Sequence, residues 1–417
     1  MIKKYDSYKD SEVEWIGNIP SSWELIRGKF VFQNKKEINN ENQELNLLSL
    51  TLHGVLNKDI NSNDGLRPTE YSTYQIFEED DLVFKLIDLE NTQTSRVGLV
   101  HERGIMSPVY IRLEPQKRIS SKYSYYYYYD LYKQHIYNFL GSGVRSSLTP
   151  SNLLEIEIPL PPLSEQQQIV SFLDTKTSLI DSLIEKTQRK IELLKEKRTS
   201  LINEVVTKGL NPNVEMKDSG VEWIGKIPSH WEITKMKYGV SHLSEKGKPE
   251  NNDIKISPEN VESETGVCFN LYSEHDSEGM RFQKGDILLN KLRLYLKKIL
   301  FTEYNGFSLG EMIVLRTNNK LNNRYFYQLL FSQGLIDLLD SQSTGIKLPR
   351  VSPDVILNTE IIYPPLSEQQ QIVEYLDEQT QLIDNTISIE EKRIELLKEY
   401  RQSLISEVVT GKRKVVE

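Results

Sequence analysis

Lysine and arginine side chains gather in a few short stretches of this sequence, and their chemistry suits an anionic partner. Such side chains pair with phosphate, and they can also donate two hydrogen bonds to the edge of a guanine base. Each group could equally be a solvated loop charge. The candidates for contacts with DNA are Lys85, Arg96, Arg103 and Arg145 in the first half of the chain, and Lys291, Arg293, Lys297, Lys298, Lys347 and Arg350 in the second.

Motifs for catalysis and for metal binding are missing from the sequence. There is no GxxxxGK[ST] phosphate loop, no HExxH, no GxSxG and no Asn-Pro-Pro-aromatic tetrapeptide. The single cysteine, Cys268, excludes a disulfide framework and cysteine-based zinc sites, and the six histidines lack metal-ligand spacing. We therefore predict a chain that is not an enzyme and that binds no metal or cofactor itself.

Length and composition indicate a folded protein of two or three domains. The chain has 417 residues, of which 38% are hydrophobic and 27% charged, and its formal net charge is -9. It has no run of 18 apolar residues and no apolar stretch near its start, so we expect a cytoplasmic protein without a membrane span. Residues 1–160 contain 18 basic and 22 acidic side chains, and residues 211–363 contain 18 and 20. Charge alone therefore argues against strong unaided binding to nucleic acid.

A tandem duplication organises the chain. Three segments recur with few changes: residues 9–25 at 217–233 with 13 of 17 positions identical, residues 161–174 at 364–377 with 12 of 14, and residues 190–207 at 393–410 with 14 of 18. The regions between these ends barely align, apart from DDLVFKL at 80–86 and GDILLNK at 285–291. This pattern favours one scaffold that carries two different recognition surfaces, although drift after duplication would also produce it.

Each repeat ends in a segment that predicts a long helix. Neither Pro nor Gly occurs between residues 164 and 208, and mostly apolar residues recur there at alternating spacings of three and four, which is a heptad seam. Such a helix of ~44 residues is about 65 Å long. Ser164 with Gln167, and Ser367 with Gln370, predict capping boxes at the two helix starts.

Each long helix needs a partner for its apolar seam, and the cheapest partner is the helix of the other repeat. Parallel and antiparallel pairing would both bury the seam, and we expect the antiparallel arrangement. The polar seam positions either fix the register of the pair or lie at the edge of the seam. These positions are Thr187, Arg198, Glu390 and Arg401.

A run of tyrosines, residues 125–129, allows two interpretations. Aromatic side chains can serve as a stacking platform for bases. The run could instead belong to an amphipathic helix over residues 120–140, with some tyrosines packed and others exposed. We favour the helix, because five consecutive side chains point to all sides of a helix.

Four features together give the chain a family resemblance. They are the opening DSGVEWIGKIPSHWE with its counterpart in the first half, the GSGVRSSL segment, the PLPPLSEQQQI junction and the long helix IELLKEKRTSLINEVVT. In these features the chain resembles the DNA specificity subunit of type I restriction-modification enzymes, which act in host defence. The second half departs from the pattern at STGIKLPRVS, where a leucine occupies the place of Arg145 and Lys347 comes earlier.

The resemblance implies the fold, the partners and the division of labour. It implies two α/β (α+β) target-recognition domains, each reading one half of a split double-stranded DNA site, held by two antiparallel helices that bind two methyltransferase subunits. Methyl transfer from S-adenosylmethionine, and ATP- and Mg-dependent translocation and cleavage, would belong to the methyltransferase and restriction subunits. The residues expected to bind these partners are Glu165, Gln166, Gln168, Glu368, Gln369 and Gln371.

The resulting prediction has four segments. Residues 1–160 and 211–363 form the recognition domains, and residues 161–210 and 364–417 form the conserved helices. One alternative function is a coiled-coil scaffold that presents two protein-binding heads without any contact to DNA. A second is a self-sufficient nuclease with an unrecognised active site, which ranks last because neither half shows a clear Asp/Glu/Lys constellation.

Overall fold

A computed structural model describes residues 3–58, 71–89, 94–141, 147–250, 252–274 and 277–415. The chain forms two compact units. The first unit comprises Met1–Thr187 and Lys392–Glu417, and the second comprises Gln188–Glu391. Both long helices are thus divided between the units. The four sequence segments 1–160, 161–210, 211–363 and 364–417 stay a prediction about the repeats, because the units follow packing and not chain order.

The first repeat is mixed in secondary structure. Its described strands are β1 Tyr8–Asp10, β2 Asn18–Pro20, β3 Glu24–Arg27, β4 Phe32–Asn34, β5 Leu48–Thr51, β6 Gly54–Asn57, β7 Gln75–Phe77, β8 Leu82–Phe84, β9 Val97–Leu99, β10 Gly104–Met106, β11 Ile111–Pro115 and β12 Glu157–Leu160. Its helices are α1 Ser121–Lys133, α2 Ile136–Leu140, α3 Pro150–Glu155 and the long α4 Leu163–Lys208.

The second repeat follows the same order at its two ends. Its described strands are β13 Met216–Asp218, β14 Lys226–Pro228, β15 Glu232–Lys235, β16 Val240–Leu243, β17 Lys246–Gly247, β18 Lys255–Ile256, β19 Gly279–Phe282, β20 Ile287–Asn290, β21 Ile299–Phe301, β22 Gly306–Ser308, β23 Met312–Thr317 and β24 Glu360–Tyr363. Its helices are α5 Asn323–Leu330, α6 Gln333–Ser341, α7 Pro353–Asn358 and the long α8 Leu366–Val409. Short 3-10 turns cover Gly28–Phe30, Asn40–Asn42, Met236–Tyr238, Pro258–Asn260 and Leu294–Leu296.

Both units contain the same scaffold of strands. Among the described residues, an antiparallel sheet has the order β4-β11-β8-β9 in the first unit and β16-β23-β20-β21 in the second. The strand pairs β1 with β2 and β3 with β12 correspond to β13 with β14 and β15 with β24. The inner strands β8 and β20 are buried along their length, as expected for short apolar runs. They lie within the faint sequence echo DDLVFKL and GDILLNK, so that echo marks an equivalent strand.

The middle regions add different strands to this scaffold. Within the described part of the first unit, β5 pairs with β6 and β7 with β10, both antiparallel. In the second unit the described strands form a further sheet of order β17-β19-β22-β18, in which β18 and β22 run parallel. The divergence of sequence between the matching ends therefore corresponds to a difference in topology.

An ion pair joins a strand of the scaffold sheet to the residue that precedes the neighbouring strand in each unit. In the first unit Arg112 and Asp81 have side chains 0% and 2% exposed, and Arg112 Nε lies 2.5 Å from Asp81 Oδ2. In the second unit Arg316 donates to both oxygens of Asp286, at 2.6 and 2.7 Å. The side chain of Arg316 is 40% exposed. The two copies thus share the ion pair but differ in its burial.

The helices α4 and α8 pair antiparallel, which confirms the prediction. In the second unit Lys190 Nζ lies 2.6 Å from Glu390 Oε1, and Arg198 Nε lies 3.0 Å from Asp384 Oδ1. The later residue of α4 thus pairs with the earlier residue of α8, so the two helices run in opposite directions. In the first unit the end of α8 lies against the start of α4. The prediction of mixed α/β architecture with a tandem duplication is confirmed as well.

Polar seam residues bond to their own helix or form ion pairs across the seam. Thr187 is 5% exposed and donates its hydroxyl to Leu183 O at 2.7 Å. Arg401 lies 2.9 Å from Asp181 and Arg198 lies 3.0 Å from Asp384, which are equivalent pairs in the two units. These contacts favour the interpretation in which polar residues fix the register of the helices.

The predicted capping boxes are wrong. Helix α4 begins at Leu163 and α8 at Leu366, one residue before Ser164 and Ser367. A serine inside the first turn cannot serve as the N-cap, which must precede the helix. The Pro-Pro pair before each helix ends the preceding strand, and the amide of Gln166 donates to Pro162 O at 3.0 Å.

The tyrosine run lies in helix α1, which supports the packing interpretation. Tyr126, Tyr127 and Tyr128 are buried, and Tyr127 donates its hydroxyl to Glu157 O at 2.6 Å. The predicted helix over residues 120–140 is interrupted, because His135 has a φ of 60° and separates α1 from α2. A left-handed residue breaks the regular hydrogen bonding of a helix.

The ends of the long helices pack on buried tryptophans. Trp23 and Trp231 are both 0% exposed and lie in the cores of the first and second units. Gly209 follows α4 with a φ of 74°, and a Cβ there would lie 3.0 Å from the Trp231 ring. Gly411 follows α8 with a φ of 73°, and its Cβ would lie 2.3 Å from Pro20 and 3.1 Å from Trp23. Both positions therefore require glycine for conformation and for space.

Candidate nucleic-acid interface

Two loops of the second unit meet and bring several of the predicted cations together. The loop after β20 begins at Lys291, whose carbonyl accepts a hydrogen bond from Val351 N at 3.0 Å. The amide of Arg293 donates to Pro349 O at 2.9 Å. Lys291, Arg293, Lys347 and Arg350 consequently belong to one surface, which we call the second-unit loop pair and define as residues 291–298 and 344–350. The sequence separates these two stretches by more than 40 residues.

One acidic residue orients half of these cations. Glu311 Oε2 lies 3.4 Å from Lys291 Nζ, and Glu311 Oε1 lies 2.9 Å from Arg350 Nη2. Burial opposes the charge of Glu311, yet Arg350 and Lys291 hold the pKa of its carboxyl below the usual value. Arg293 and Lys347 are exposed, and neither has an ion-pair partner among the residues that the structure describes.

The other two predicted cations of this loop are hydrogen-bonded within their own unit, Lys297 buried and Lys298 half-buried. Lys297 is 5% exposed, and its Nζ donates to Gln333 Oε1 at 2.6 Å. Burial lowers the pKa of Lys297 below its usual value. Lys298 donates to Pro258 O at 2.7 Å. Both side chains thus tie the loop to its own unit.

The first unit joins its loops in the same way. Leu148 N donates to Leu86 O at 2.9 Å, as Val351 N does to Lys291 O in the second unit. Lys85 lies next to this contact, and its Nζ lies 3.3 Å from Thr94 Oγ1. Arg145, expected in the same loop, lies outside the described residues.

The two remaining cations of the first unit differ in exposure. Arg96 is 1% exposed and donates to Asp88 O at 2.7 Å. Arg103 has a side chain that is 47% exposed and pairs with Glu44 at 3.3 Å and with Glu78. The structure therefore leaves Arg103 accessible and encloses Arg96.

Sequence reasoning missed two kinds of residue in this interface. Glu311 orients Lys291 and Arg350, but it lies in the turn before β23, distant in sequence from both, so nothing marked it as their partner. Ile346 and Leu348 are 103% and 44% exposed at the tip of the second loop. Aliphatic residues inside a polar loop were a visible signal for that tip.

The residues expected to bind partner subunits fall into two groups. Gln166 and Gln369 are both 0% exposed. Gln166 accepts from Ser120 N at 2.8 Å and donates to Pro161 O at 2.9 Å. Gln369 accepts from Asn322 N at 2.7 Å and donates to Pro364 O at 2.8 Å. These glutamines therefore join the start of each long helix by hydrogen bonds to the start of another helix in the same unit and to the Pro-Pro segment before it.

The other members of this set are more accessible. Glu165 accepts a hydrogen bond from the Tyr5 hydroxyl at 2.6 Å. Glu368 accepts from Trp231 Nε1 at 2.9 Å and lies 2.6 Å from His230 Nε2. Gln168 and Gln371 are exposed at equivalent positions on the first turns of α4 and α8.

Comparison with known proteins decides the family. A family model described as the type I restriction modification DNA specificity domain matches residues 54–193 and 245–399. The chain belongs to this family. It is 26% identical, over 95% of its length and 94% of the relative, to the type I restriction enzyme MjaVIII specificity subunit of Methanocaldococcus jannaschii. It is 23% identical to the EcoDI specificity subunit of Escherichia coli, over 54% of this chain and 55% of that one.

Solved structures confirm the fold. A chain from a study of complex assembly and conformational transition of the type I R-M system matches with a TM-score of 0.70 at 14% identity, over 94% of this chain and 98% of that one. The crystal structure of the HsdS subunit from Thermoanaerobacter tengcongensis matches with a TM-score of 0.53 at 14% identity, over the same shares of the two chains.

Family membership confirms the predicted role of a non-catalytic specificity subunit that recognises DNA within a type I restriction-modification system. It does not favour the scaffold without DNA. Among the described residues, no helix is long and apolar enough to cross a membrane. The same residues contain no cluster of side chains suited to a metal ion.

Proposed function

We propose that this chain reads a bipartite, asymmetric double-stranded DNA sequence, with one half-site for each unit. The observation that carries the proposal is the contrast between the shared scaffold sheets and the different strands added to them. One scaffold explains a common mode of docking, and different additions explain two different base sequences. The loops that meet at Leu86 and Leu148, and at Lys291 and Val351, occupy equivalent places in the two units.

The structure narrows the set of residues that we propose as direct DNA contacts. Arg293 and Lys347 are exposed and unpaired among the described residues, so they are the leading base contacts of the second unit. Glu311 orients Lys291 and Arg350. These two residues remain candidates for phosphate contacts, together with Lys85, Arg103 and Lys298. Arg96 and Lys297 are buried, and we propose that they support the loops. Arg145 keeps its place as the first-unit candidate.

The long helices offer a surface for helical partners. On α8 in the second unit, Tyr375, Leu382 and Ile389 are exposed at intervals of seven residues, outside the buried seam. On α4 in the first unit, Leu179 is 55% exposed at the position that corresponds to Leu382. Apolar side chains at this spacing form one stripe on a helix, which suits packing against another helix. We propose that two methyltransferase subunits bind here, one on each unit, with Gln168 and Gln371 at the edge.

The proposed division of labour leaves cofactors to the partners. S-adenosylmethionine would be used by the methyltransferase subunits, and ATP and Mg by the restriction subunits. The complex would act on DNA in the cytoplasm. An acidic specificity subunit fits this arrangement, because basic partners can supply most of the phosphate contacts while this chain sets the sequence.

The central test is methylation by the reconstituted complex. The purified chain alone should transfer no methyl group to DNA, and the chain with its methyltransferase partner should methylate one split sequence, read by sequencing of modified bases. Partner alone serves as the control and should show no such sequence preference. Methyl transfer by the isolated chain, or a complex without sequence preference, would contradict the proposal.

The partner surface has its own test. Changing Leu382→Lys together with Leu179→Lys should weaken association with the methyltransferase at least tenfold, because a lysine would have to be buried between helices. Gln381→Lys is the matched control, since Gln381 is exposed and adjacent in sequence but lies on another side of α8. Equal affinity of the double variant and the control, by calorimetry, would remove the stripe from the interface.

A further inference from the structure

The loop that contains Lys347 is closed and braced by the backbone. Thr344 N donates to Arg350 O at 2.8 Å, and Arg350 N donates to Thr344 O at 2.9 Å. Leu292 bridges to Arg350 on the other side. Gly345 has a φ of 100°, and a Cβ there would lie 3.0 Å from Leu348 O. Residues 344–350 therefore form a tight loop whose tip is held in one position.

The tip of this loop presents aliphatic side chains to solvent. Ile346 is 103% exposed, and Leu348 is 44% exposed. Other loop residues reach outward with polar groups, which water solvates, whereas an isoleucine at a braced tip gains nothing from water. Isolated exposed apolar residues are ordinary on protein surfaces. The charged residues around Ile346 and Leu348 indicate what kind of partner this tip contacts.

Positive charge surrounds the aliphatic tip. Lys347 lies between Ile346 and Leu348 in sequence, and Arg350 closes the loop. Arg293 is joined to the loop through its amide, and it adopts a left-handed backbone with a φ of 51°. Left-handed backbone in a non-glycine residue is unfavourable and persists where the surroundings enforce it. Because these cations surround the tip, charge complementarity favours a polyanion as the partner that binds the loop.

A polyanion with an apolar interior is a DNA duplex. Its phosphates suit Arg293, Lys347 and Arg350, while its stacked bases offer the apolar surface that Ile346 lacks. Proteins that insert aliphatic side chains between base pairs unstack the step and kink the helix. An acidic protein surface would satisfy the cations but would not accommodate an isoleucine tip.

We propose that Ile346, supported by Leu348, enters the DNA as an apolar wedge between two adjacent base pairs of the half-site read by the second unit. The proposal rests on the proposed function and adds a mode of reading. Steps that unstack easily would be favoured at the insertion point, so the wedge selects sequence through deformability without a hydrogen bond to a base.

The experiment uses the complete complex of this chain with its methyltransferase and a duplex that contains the methylated sequence found by sequencing. 2-Aminopurine is placed in turn at each position of the second-unit half-site except the methylated adenine, which the methyltransferase itself turns out of the stack, and its fluorescence reports unstacking. The wild-type complex should raise the fluorescence at one step. Ile346→Ala should abolish this rise and weaken binding about tenfold, while Leu348→Ala should reduce the rise in part.

Tyr304→Ala is the matched control. Tyr304 is 53% exposed in the same unit, in the turn between β21 and β22 beyond the opposite end of β20 from Lys291. The control variant should keep the full fluorescence rise and the binding affinity. Because Ile346 contacts solvent, its truncation should leave folding unchanged, and circular dichroism checks this.

Two results would overturn the wedge and leave the proposed function intact. One is specific methylation by the wild type without unstacking at any step. The other is an altered base preference in Ile346→Ala with unchanged fluorescence, which would assign the side chain to contacts with thymine methyl groups in a groove. Loss of sequence preference in the wild-type complex would instead defeat the proposed function itself.

Discussion

The buried glutamines Gln166 and Gln369 make matching hydrogen bonds in the two units, whereas the arginines of the two equivalent ion pairs differ in burial. Arg112 is enclosed in the first unit, and Arg316 in the second unit is 40% exposed. The glutamines lie in segments that repeat almost unchanged, while the arginines lie in the divergent middles. The comparison indicates that the repeated residues fix how each unit joins its helices. In the divergent middle regions the ion pair is kept, but the residues that cover it differ.

Exchange of a whole middle region tests this comparison with the largest expected effect. Replacing residues 26–148 with the corresponding region of a relative should change one half of the target and leave the other half untouched. The equivalent exchange of residues 234–351 should do the reverse. Sequencing of methylated DNA reads both halves at once. A change in both halves after a single exchange would show that the units do not read independently.

Removing each arginine should show how the stability lost differs between the buried ion pair of the first unit and the partly exposed one of the second. Arg112→Ala leaves Asp81 buried without its partner and should cost about 3–5 kcal/mol. Arg316→Ala removes a side chain that is 40% exposed, so water can take its place beside the buried Asp286, and the loss should be smaller, about 1–2 kcal/mol. Amide exchange at β8 and β11, compared with β20 and β23, reports the two losses separately. Equal losses would mean that burial of the pair has no energetic consequence.

A pH titration should distinguish the units through one buried acid. Asp130 is 1% exposed and accepts from Gln402 at 2.6 Å and from Gln134 at 2.7 Å. Burial raises the pKa of Asp130 to about 6. Because the folded pKa exceeds the unfolded value of about 4, this group contributes stability below pH ~4 that is lost as the pH rises through about 6.

The first unit should therefore lose about 2–3 kcal/mol between pH 4 and pH 7.5 through this group. Asp130→Asn should remove that part of the pH dependence. The equivalent position in the second unit is the uncharged Ser332, so Ser332→Ala provides the control. Amide exchange of α1 at several pH values gives the measurement. An unchanged pH profile in Asp130→Asn would assign the dependence to other groups.

Single base contacts should give the smallest effects. Arg293→Ala and Lys347→Ala should each cost about 1–3 kcal/mol on the cognate site and barely change nonspecific binding. Lys298→Ala, whose side chain contacts Pro258 O, should affect cognate and nonspecific DNA alike. Titrations with cognate and scrambled duplexes measure both quantities. Equal losses on the two duplexes would reassign Arg293 and Lys347 to phosphates.

Repetition and periodicity were enough to predict the architecture. The spacing of Leu173, Ile180 and Leu376 along the seam predicted long paired helices, because one stripe of a helix must be buried. The cap at Ser164 was mispredicted because local pairing rules omit the bonds that Gln166 makes to Ser120, 46 positions away, and to Pro161 before the helix. Those bonds fix the helix start from outside the helix.

The candidate interface was predicted only in part. The sequence indicates which side chains are charged, and it cannot show that Arg96 turns inward to Asp88 O or that Glu311 holds Arg350. Arg96 binds a carbonyl 8 positions earlier and Glu311 pairs with a residue 39 positions later, and no regular periodicity predicts either contact. The grouping of Lys291 with Arg350 likewise arises from backbone pairing between two loops, for which no local pattern exists.

The closing of the first unit depends on residues that are synthesised after the whole second unit. Tyr123 donates its hydroxyl to Val409 O at 3.1 Å, and Lys414 N donates to Lys3 O at 2.9 Å. On a ribosome that adds about 5–20 residues per second, the 286 positions between Tyr123 and Val409 separate their synthesis by about 14–57 s.

During that interval the apolar face of α4 at Ile169 and Leu173 lacks the cover that Leu404 and Val408 later provide. The second unit is continuous in sequence and includes no residue beyond Glu391. It can therefore complete its fold first, so the order in which the units close is the reverse of the order in which they leave the ribosome.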